Sequence, residues 1–274
     1  MKELSTRIIV ALFGIPVLIL CIWQGGYLFF TAIVVMSILG QYELYNLMQT
    51  KDLSPQAWSG FLMSLVLLYM IAFGFHPYLI SIFLLLMLLI MGAEMYRNVG
   101  SPLLNTAGTL LGVVYPTLFL GSMLYLRFHF EELPGADRPN AAAIFILTIF
   151  VSVWVCDTMA YFVGVTLGKH RLFERVSPKK SIEGALAGVT GAVLIFLSIR
   201  WLNLFDMEYL FLLISGLIVG VLGQFGDLVE SWLKRDAHVK DSSRILPGHG
   251  GFLDRFDSLS YISPAFLILF LLWK

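Results

Sequence analysis

Charge is what this chain has least of. Asp, Glu, Lys and Arg make up 13% of its 274 residues, roughly half the share usual in a soluble domain. Its 18 basic and 18 acidic residues cancel to no formal net charge, so nucleic-acid binding has no overall electrostatic footing. Cysteine is nearly absent: Cys21 and Cys156 both lie in apolar runs, far in sequence from other metal-type ligands, and read as small buried hydrophobes. No GxxxxGK[ST] and no GxGxxG pattern occurs, so any nucleotide binds without a P-loop or Rossmann turn. No Ser or Cys nucleophile elbow is recognisable either, and His76, His129, His170 and His238 are scattered without ligand spacing.

What fills the chain instead is apolar. Hydrophobic residues are 58% and aromatics 14% of the sequence, with a mean hydropathy of +0.85. The composition predicts an all-α, polytopic integral membrane protein. At about 20 apolar residues per span, nine candidate helices follow: 8–23, 27–47, 57–75, 77–95, 103–126, 141–167, 182–199, 209–233 and 258–273. The first resembles a signal peptide but lacks a small-residue cleavage site, and is read as an uncleaved helix. Gly25-Gly26 and His76-Pro77 mark tight reversals. With a cytoplasmic N-terminus, 14 of the 18 Lys and Arg residues fall on the inside, as the positive-inside rule requires. Both large basic loops, 168–183 and 234–257, then face the cytoplasm. The simplest organisation is a single polytopic domain, 1–274, with residues 1–100 as an N-terminal helical layer and 101–274 as the catalytic region. Small-residue spacings at Gly108 and Gly112, Gly184, Gly188 and Gly191, and Gly216, Gly220 and Gly223 indicate close helix packing, compatible with a homodimer.

An acid inside a membrane span costs several kcal/mol unless paired or hydrated. Glu43 and Glu94 lie near the cytoplasmic ends of their spans, where headgroups or water would be within reach. Asp157 shares a helix face with Tyr161, Gly164 and Gly168, a polar stripe descending toward the first basic loop; a simple buried, hydrogen-bonded Asp is the alternative. In the eighth span, Gln224, Asp227, Glu230 or Ser231, and Lys234 recur at steps of three and four and form one polar face leading into the second loop. A transporter or channel lining a watery path would show the same stripe.

The stretch 231–257 is where chemistry concentrates. It holds 5 of the 18 Lys and Arg residues, 4 carboxylates and 2 His. Asp227, Asp254 and Asp257 are the residue type that binds a hard divalent cation such as magnesium, with phosphate oxygens and water completing the shell. Lys234, Arg235, Lys240, Arg244, His249 and Arg255 suit phosphate oxygens, and Pro247-Gly248-His249-Gly250-Gly251 offers backbone N–H groups to an anion. In the first loop, Lys179, Lys180 and Ser181 stand before Glu183 at a helix start, where an anionic headgroup would be favoured. Acids for metal, cations for phosphate and glycines for close approach are the components of phosphoryl or nucleotidyl transfer.

The run Ser231-Trp232-Leu233-Lys234-Arg235, followed by Lys240-Asp241, Pro247-Gly248-His249-Gly250-Gly251 and Asp254-Arg255-Phe256-Asp257, resembles the full signature of the phosphatidate cytidylyltransferases, or CDP-diacylglycerol synthases. The segment 177–184 and the surroundings of Asp157 are similar to that family's other recurrent stretches. The resemblance implies that CTP and phosphatidic acid give CDP-diacylglycerol and pyrophosphate, with Mg2+ as cofactor. A second metal or a monovalent cation is left open. For that reaction the charge pattern assigns catalytic roles to Asp227, Asp254, Lys240 and Arg255, with Asp257 either a metal ligand or the partner that orients Arg255. It implies substrate contacts from Lys179, Lys180, Ser181, Ser231, Lys234, Arg235, His249, Gly250 and Gly251. The expected location is the cell membrane, plasma or inner, with the active site facing the cytoplasm in a cavity that a two-tailed lipid enters from the side. A polyprenol kinase, releasing CDP instead of pyrophosphate, is the nearest rival; a transporter and a noncatalytic scaffold are the more distant ones.

Overall fold

The computed structural model describes residues 2–74, 76–243, 245–246, 248 and 250–274, with 2–9 as backbone. Arg244, Pro247 and His249, and Phe75 at the end of the expected third span, lie outside the described residues.

The chain is a bundle of long apolar helices. They are α1 (Lys2–Gln24), α2 (Gly26–Gln49), α3 (Ala57–Phe73) and α4 (Pro77–Arg97), then α5 (Pro102–Gly112) and α6 (Phe119–His129) joined end to end by a π-helical turn at Val113–Leu118. After α7 (Ala141–Leu167) and α8 (Ile182–Trp201), α9 (Tyr209–Leu217) continues through a second π-helical turn, Ile218–Gly223, into α10 (Gln224–Asp236), and α11 (Leu253–Trp273) closes the fold. Among the described residues, 7 helices are long and apolar enough to cross a membrane. The segments Val10–Gln24 and Ala57–Phe73 are shorter apolar helices. The chain is therefore a multi-pass membrane protein.

Both π turns have local causes. Pro116, inside the first, has no N–H to give and its ring crowds the preceding turn. In the second, a Cβ on Gly220 would lie 2.6 Å from Val189 Cα, so the helix runs against the backbone of α8. At the α1–α2 reversal, Gly25 has φ +66°. A side chain there would also strike Arg127, whose guanidinium caps α1 through the carbonyls of Ile22 (2.8 Å) and Trp23 (3.1 Å).

The glycine faces are used within the chain. Gly184 and Gly188 approach the Ala160 and Cys156 carbonyls of α7, Gly216 and Gly220 approach Val193 and Val189 of α8, and Gly112 receives the Tyr45 ring. They bind helix to helix inside one molecule and so lend no support to a homodimer. Gly164 and Gly168 likewise pack on Ser181 and Gly184.

The aromatic core sits at one end of the bundle. Phe145 stacks on Phe130 with centroids 4.2 Å apart, and Phe196, Phe211 and Phe266 surround it at 5.5 to 5.9 Å. These residues come from the turn after α6 (Phe130), the start of α7 and α9 and the later turns of α8 and α11. The opposite end, where α7 and α10 finish and α8 and α11 begin, therefore brings loops 168–183 and 234–257 together. The first of these is not plain loop: Arg171–Phe173 (β1) and Ser177–Ser181 (β2) pair as an antiparallel hairpin.

Candidate active site

A polar cavity of about 360 Å3 opens at that loop-bearing end, lined by Val153, Trp154 and Asp157 of α7, Asp227, Glu230 and Lys234 of α10, Asp241, and Asp254, Arg255 and Asp257 of α11 with Ser258 and Leu259. Helical spacing explains the set. Asp227, Glu230 and Lys234 fall on one face of α10, and Asp254 and Asp257 on one face of α11. Asp227 and Asp254 thus look into the same space.

Two lysines tie the acids together. Lys234 Nζ lies 2.6 Å from Glu230 Oε2 and 2.5 Å from Asp254 Oδ1, with side chains 11%, 1% and 7% exposed. Beyond that pair, the oxygens of Glu230 accept no hydrogen bond among the described residues. Lys180 Nζ reaches Asp227 Oδ2 at 2.6 Å, while Ser231 Oγ stands 3.3 Å from Asp227 Oδ1. The hairpin decides which lysine does this: along β2, Lys179 is exposed, Lys180 is half-buried and Ser181 is buried.

Asp254 is also the organiser of the signature loop. Its Oδ2 accepts from Gly251 N (2.8 Å), Ser242 N (3.0 Å) and Ser242 Oγ (3.1 Å). The Gly251 N–H expected to face an anion is therefore turned onto Asp254. Glycine is required here for space, since a Cβ on Gly251 would sit 1.7 Å from Ser242 Oγ. Gly250 has φ +86° and its carbonyl accepts from Leu246 N at 3.1 Å, closing the turn.

Several residues read from the sequence are placed elsewhere. Ser181 caps α8 through Gly184 N at 3.2 Å, so its hydroxyl is spent on the helix and it does not line the cavity. Lys179, Arg235 and Lys240 are exposed and outside the lining; Arg235 closes the end of α10 on the Val239 carbonyl at 3.2 Å. Gln224 turns away from the polar face to the carbonyls of Ala185 (3.0 Å) and Gly220 (2.6 Å). His249 is among the residues not described.

Glu43 and Glu94 correct the reading more sharply, for neither reaches water or headgroups. Glu94 is 4% exposed and accepts from Gln56, Asn105 and Arg97 at 2.7 to 2.9 Å, a knot joining α3, α4 and α5. Glu43 is fully buried, and it accepts from the signature loop: Ser242 Oγ (2.9 Å), Ser243 Oγ (2.5 Å), Phe252 N (2.7 Å) and Leu253 N (2.6 Å). Its only trace in the sequence is a lone acid in an apolar helix, which by itself names no partner.

A membrane bundle with an acid-lined, lysine-bridged cavity under a glycine loop defines the class, and the class has a name: residues 5–273 match the model of the Cytidylyltransferase family. The chain belongs to that family. It is 32% identical to the phosphatidate cytidylyltransferase of Synechocystis, covering 97% of both chains. With that of Bacillus subtilis it shares 31% identity over 100% of both, and with that of Staphylococcus epidermidis 32% over 96% of both.

Proposed function

We propose that this cavity transfers the cytidylyl group of CTP to phosphatidic acid, giving CDP-diacylglycerol and pyrophosphate. The observation that carries the reading is the joining of Asp227, Lys234 and Asp254 in one cavity at one end of a membrane bundle, with Lys180 paired to Asp227, in a chain of the cytidylyltransferase family. A phosphate oxygen of phosphatidic acid attacks the α-phosphorus of CTP. The new P–O bond forms as the bond to the β-phosphate breaks, and its electron pair leaves with pyrophosphate. The lipid supplies the nucleophile, so none is required of the protein. Lys180, Lys234 and Arg255 neutralise charge on the phosphates, while the loop held by Asp254 orders the wall they react against.

The donor set fits magnesium. Six carboxyl groups line the cavity against Lys234 and Arg255, an excess that opposes a triphosphate unless a divalent cation accompanies it. No cluster of three or more metal-type side chains is preformed among the described residues, as suits an ion whose shell is completed by phosphate oxygens and water. Asp227 and Asp257 would hold it. Asp254 has Oδ2 committed to the loop and only Oδ1, now on Lys234, to offer. Such an ion polarises phosphoryl oxygens when bound.

We further place the cavity on the cytoplasmic side, since 14 of the 18 Lys and Arg residues then lie inside. Lipid would enter past α7, where Trp154 is both cavity wall and exposed surface. The test is pyrophosphate release by purified protein in detergent with CTP, magnesium and phosphatidic acid. Release that requires lipid and stops with a chelator is expected. CDP in place of pyrophosphate would mean a lipid kinase, and no product from folded, lipid-supplied protein would defeat the enzyme reading.

A further inference from the structure

Glu43 has no place in the reaction above, yet among the described residues it is the most heavily hydrogen-bonded acid of the N-terminal half. Two of its donors, Phe252 N and Leu253 N, are the orphan N–H groups at the start of α11, a helix that carries no side-chain cap of its own. Glu43, from α2 and 210 residues away in sequence from Leu253, supplies that cap. A carboxylate suits the positive end of the helix dipole. The other two donors, the Ser242 and Ser243 hydroxyls, belong to the strand of loop leading to Gly250.

Ser242 Oγ lies 2.9 Å from Glu43 Oε2 and 3.1 Å from Asp254 Oδ2. One hydroxyl hydrogen serves two carboxyl groups, so Glu43 and Asp254 hold the same point of the loop from opposite sides. Gly251 fits between them: a Cβ there would lie 2.8 Å from Glu43 Oε2 as well as against Ser242. A continuous chain of contacts therefore runs from α2 through Glu43, Ser242 and Asp254 to Lys234 and Glu230 inside the cavity.

We propose that Glu43 is a positioning residue for cytidylyl transfer. From the N-terminal part of the bundle it clamps the signature loop and the first turn of α11, and so sets where Asp254 and Lys234 stand toward the reacting phosphates. The proposal rests on the function given above. Glu43 touches neither the cavity nor the substrates, and it acts through Ser242 and the helix start.

The test is Glu43→Gln, which preserves size but turns an amide NH2 toward a site where every neighbour donates. Two readouts are taken on the same folded, detergent-purified protein. The first is kcat and KM for CTP and for phosphatidic acid, by pyrophosphate release. The second is amide hydrogen exchange over 242–254 compared with α7 and α8. Because a misplacement near 1 Å costs on the order of 100-fold in rate, kcat should fall at least about 30-fold while both KM values stay within about threefold. Losing charge-assisted bonds should speed exchange in 242–254 by about tenfold or more and leave α7 and α8 unchanged. A kcat within about threefold of wild type, or exchange that rises evenly across the bundle as a purely structural anchor would produce, overturns the proposal. Should Glu43→Gln not fold, Ser243→Ala, which removes one donor and leaves Glu43 in place, is read by the same two measurements. Wild-type protein that releases no pyrophosphate would count against the enzyme reading, and the exchange contrast would still decide whether Glu43 clamps the loop.

Discussion

Replacing Lys234 with Met removes the ammonium that bridges two buried carboxyl groups, Glu230 and Asp254, while keeping the aliphatic stem. The two partners are not equally exposed to the loss. Asp254 retains Ser242 N, Ser242 Oγ and Gly251 N, whereas no other backbone N–H, lysine, arginine or hydroxyl among the described residues donates to the oxygens of Glu230. Stripping one partner from a buried ion pair costs about 3–5 kcal/mol, and the structure assigns most of that to Glu230. Lys234→Met should therefore lose about 3 kcal/mol or more, and adding Glu230→Gln should recover about 1–2 kcal/mol by removing the buried carboxyl left without its ammonium. Reversible unfolding by SDS titration in mixed micelles, with wild type, both single variants and the double variant, completes the cycle. The reasoning fails if Lys234→Met unfolds within about 0.5 kcal/mol of wild type, or if the double variant is no more stable than Lys234→Met.

Three further outcomes are expected. Asp254→Asn leaves the shape but weakens the hold on Gly251 and Lys234, so pyrophosphate release should drop about 100-fold or more with the elution profile of the folded protein unchanged. Lys180→Ala should raise the KM for CTP about tenfold or more while Lys179→Ala stays within about twofold, since Lys180 is the one paired with Asp227; equal effects would contradict that pairing. Gly251→Ala forces a methyl into the space of Ser242 Oγ, and should lower stability by about 1–3 kcal/mol and activity with it, readable by thermal unfolding followed by the pyrophosphate assay.

Local and one-dimensional properties were legible without a structure. Hydropathy alone defines a multi-pass membrane chain, because a span is a contiguous run whose length the bilayer sets. The three- and four-residue steps of Asp227, Glu230 and Lys234, and of Asp254 and Asp257, state which acids share a helix face, because helical geometry converts spacing into direction. The loop pattern from Ser231 to Asp257 was sufficient to point to the family. What the sequence could not decide is what each polar group meets across the bundle. Lys179 and Lys180 are alike in sequence, and only the short hairpin selects one for Asp227. Ser181 reads as a phosphate contact until the helix it caps is seen. The glycine faces read as packing with no partner named, compatible with a homodimer, until the helices they meet are seen. Glu43 reads as a headgroup acid until the loop about 200 residues later folds onto it. Burial and pairing are properties of the assembled neighbours, and a contact that spans most of the chain leaves no periodicity in either of its ends.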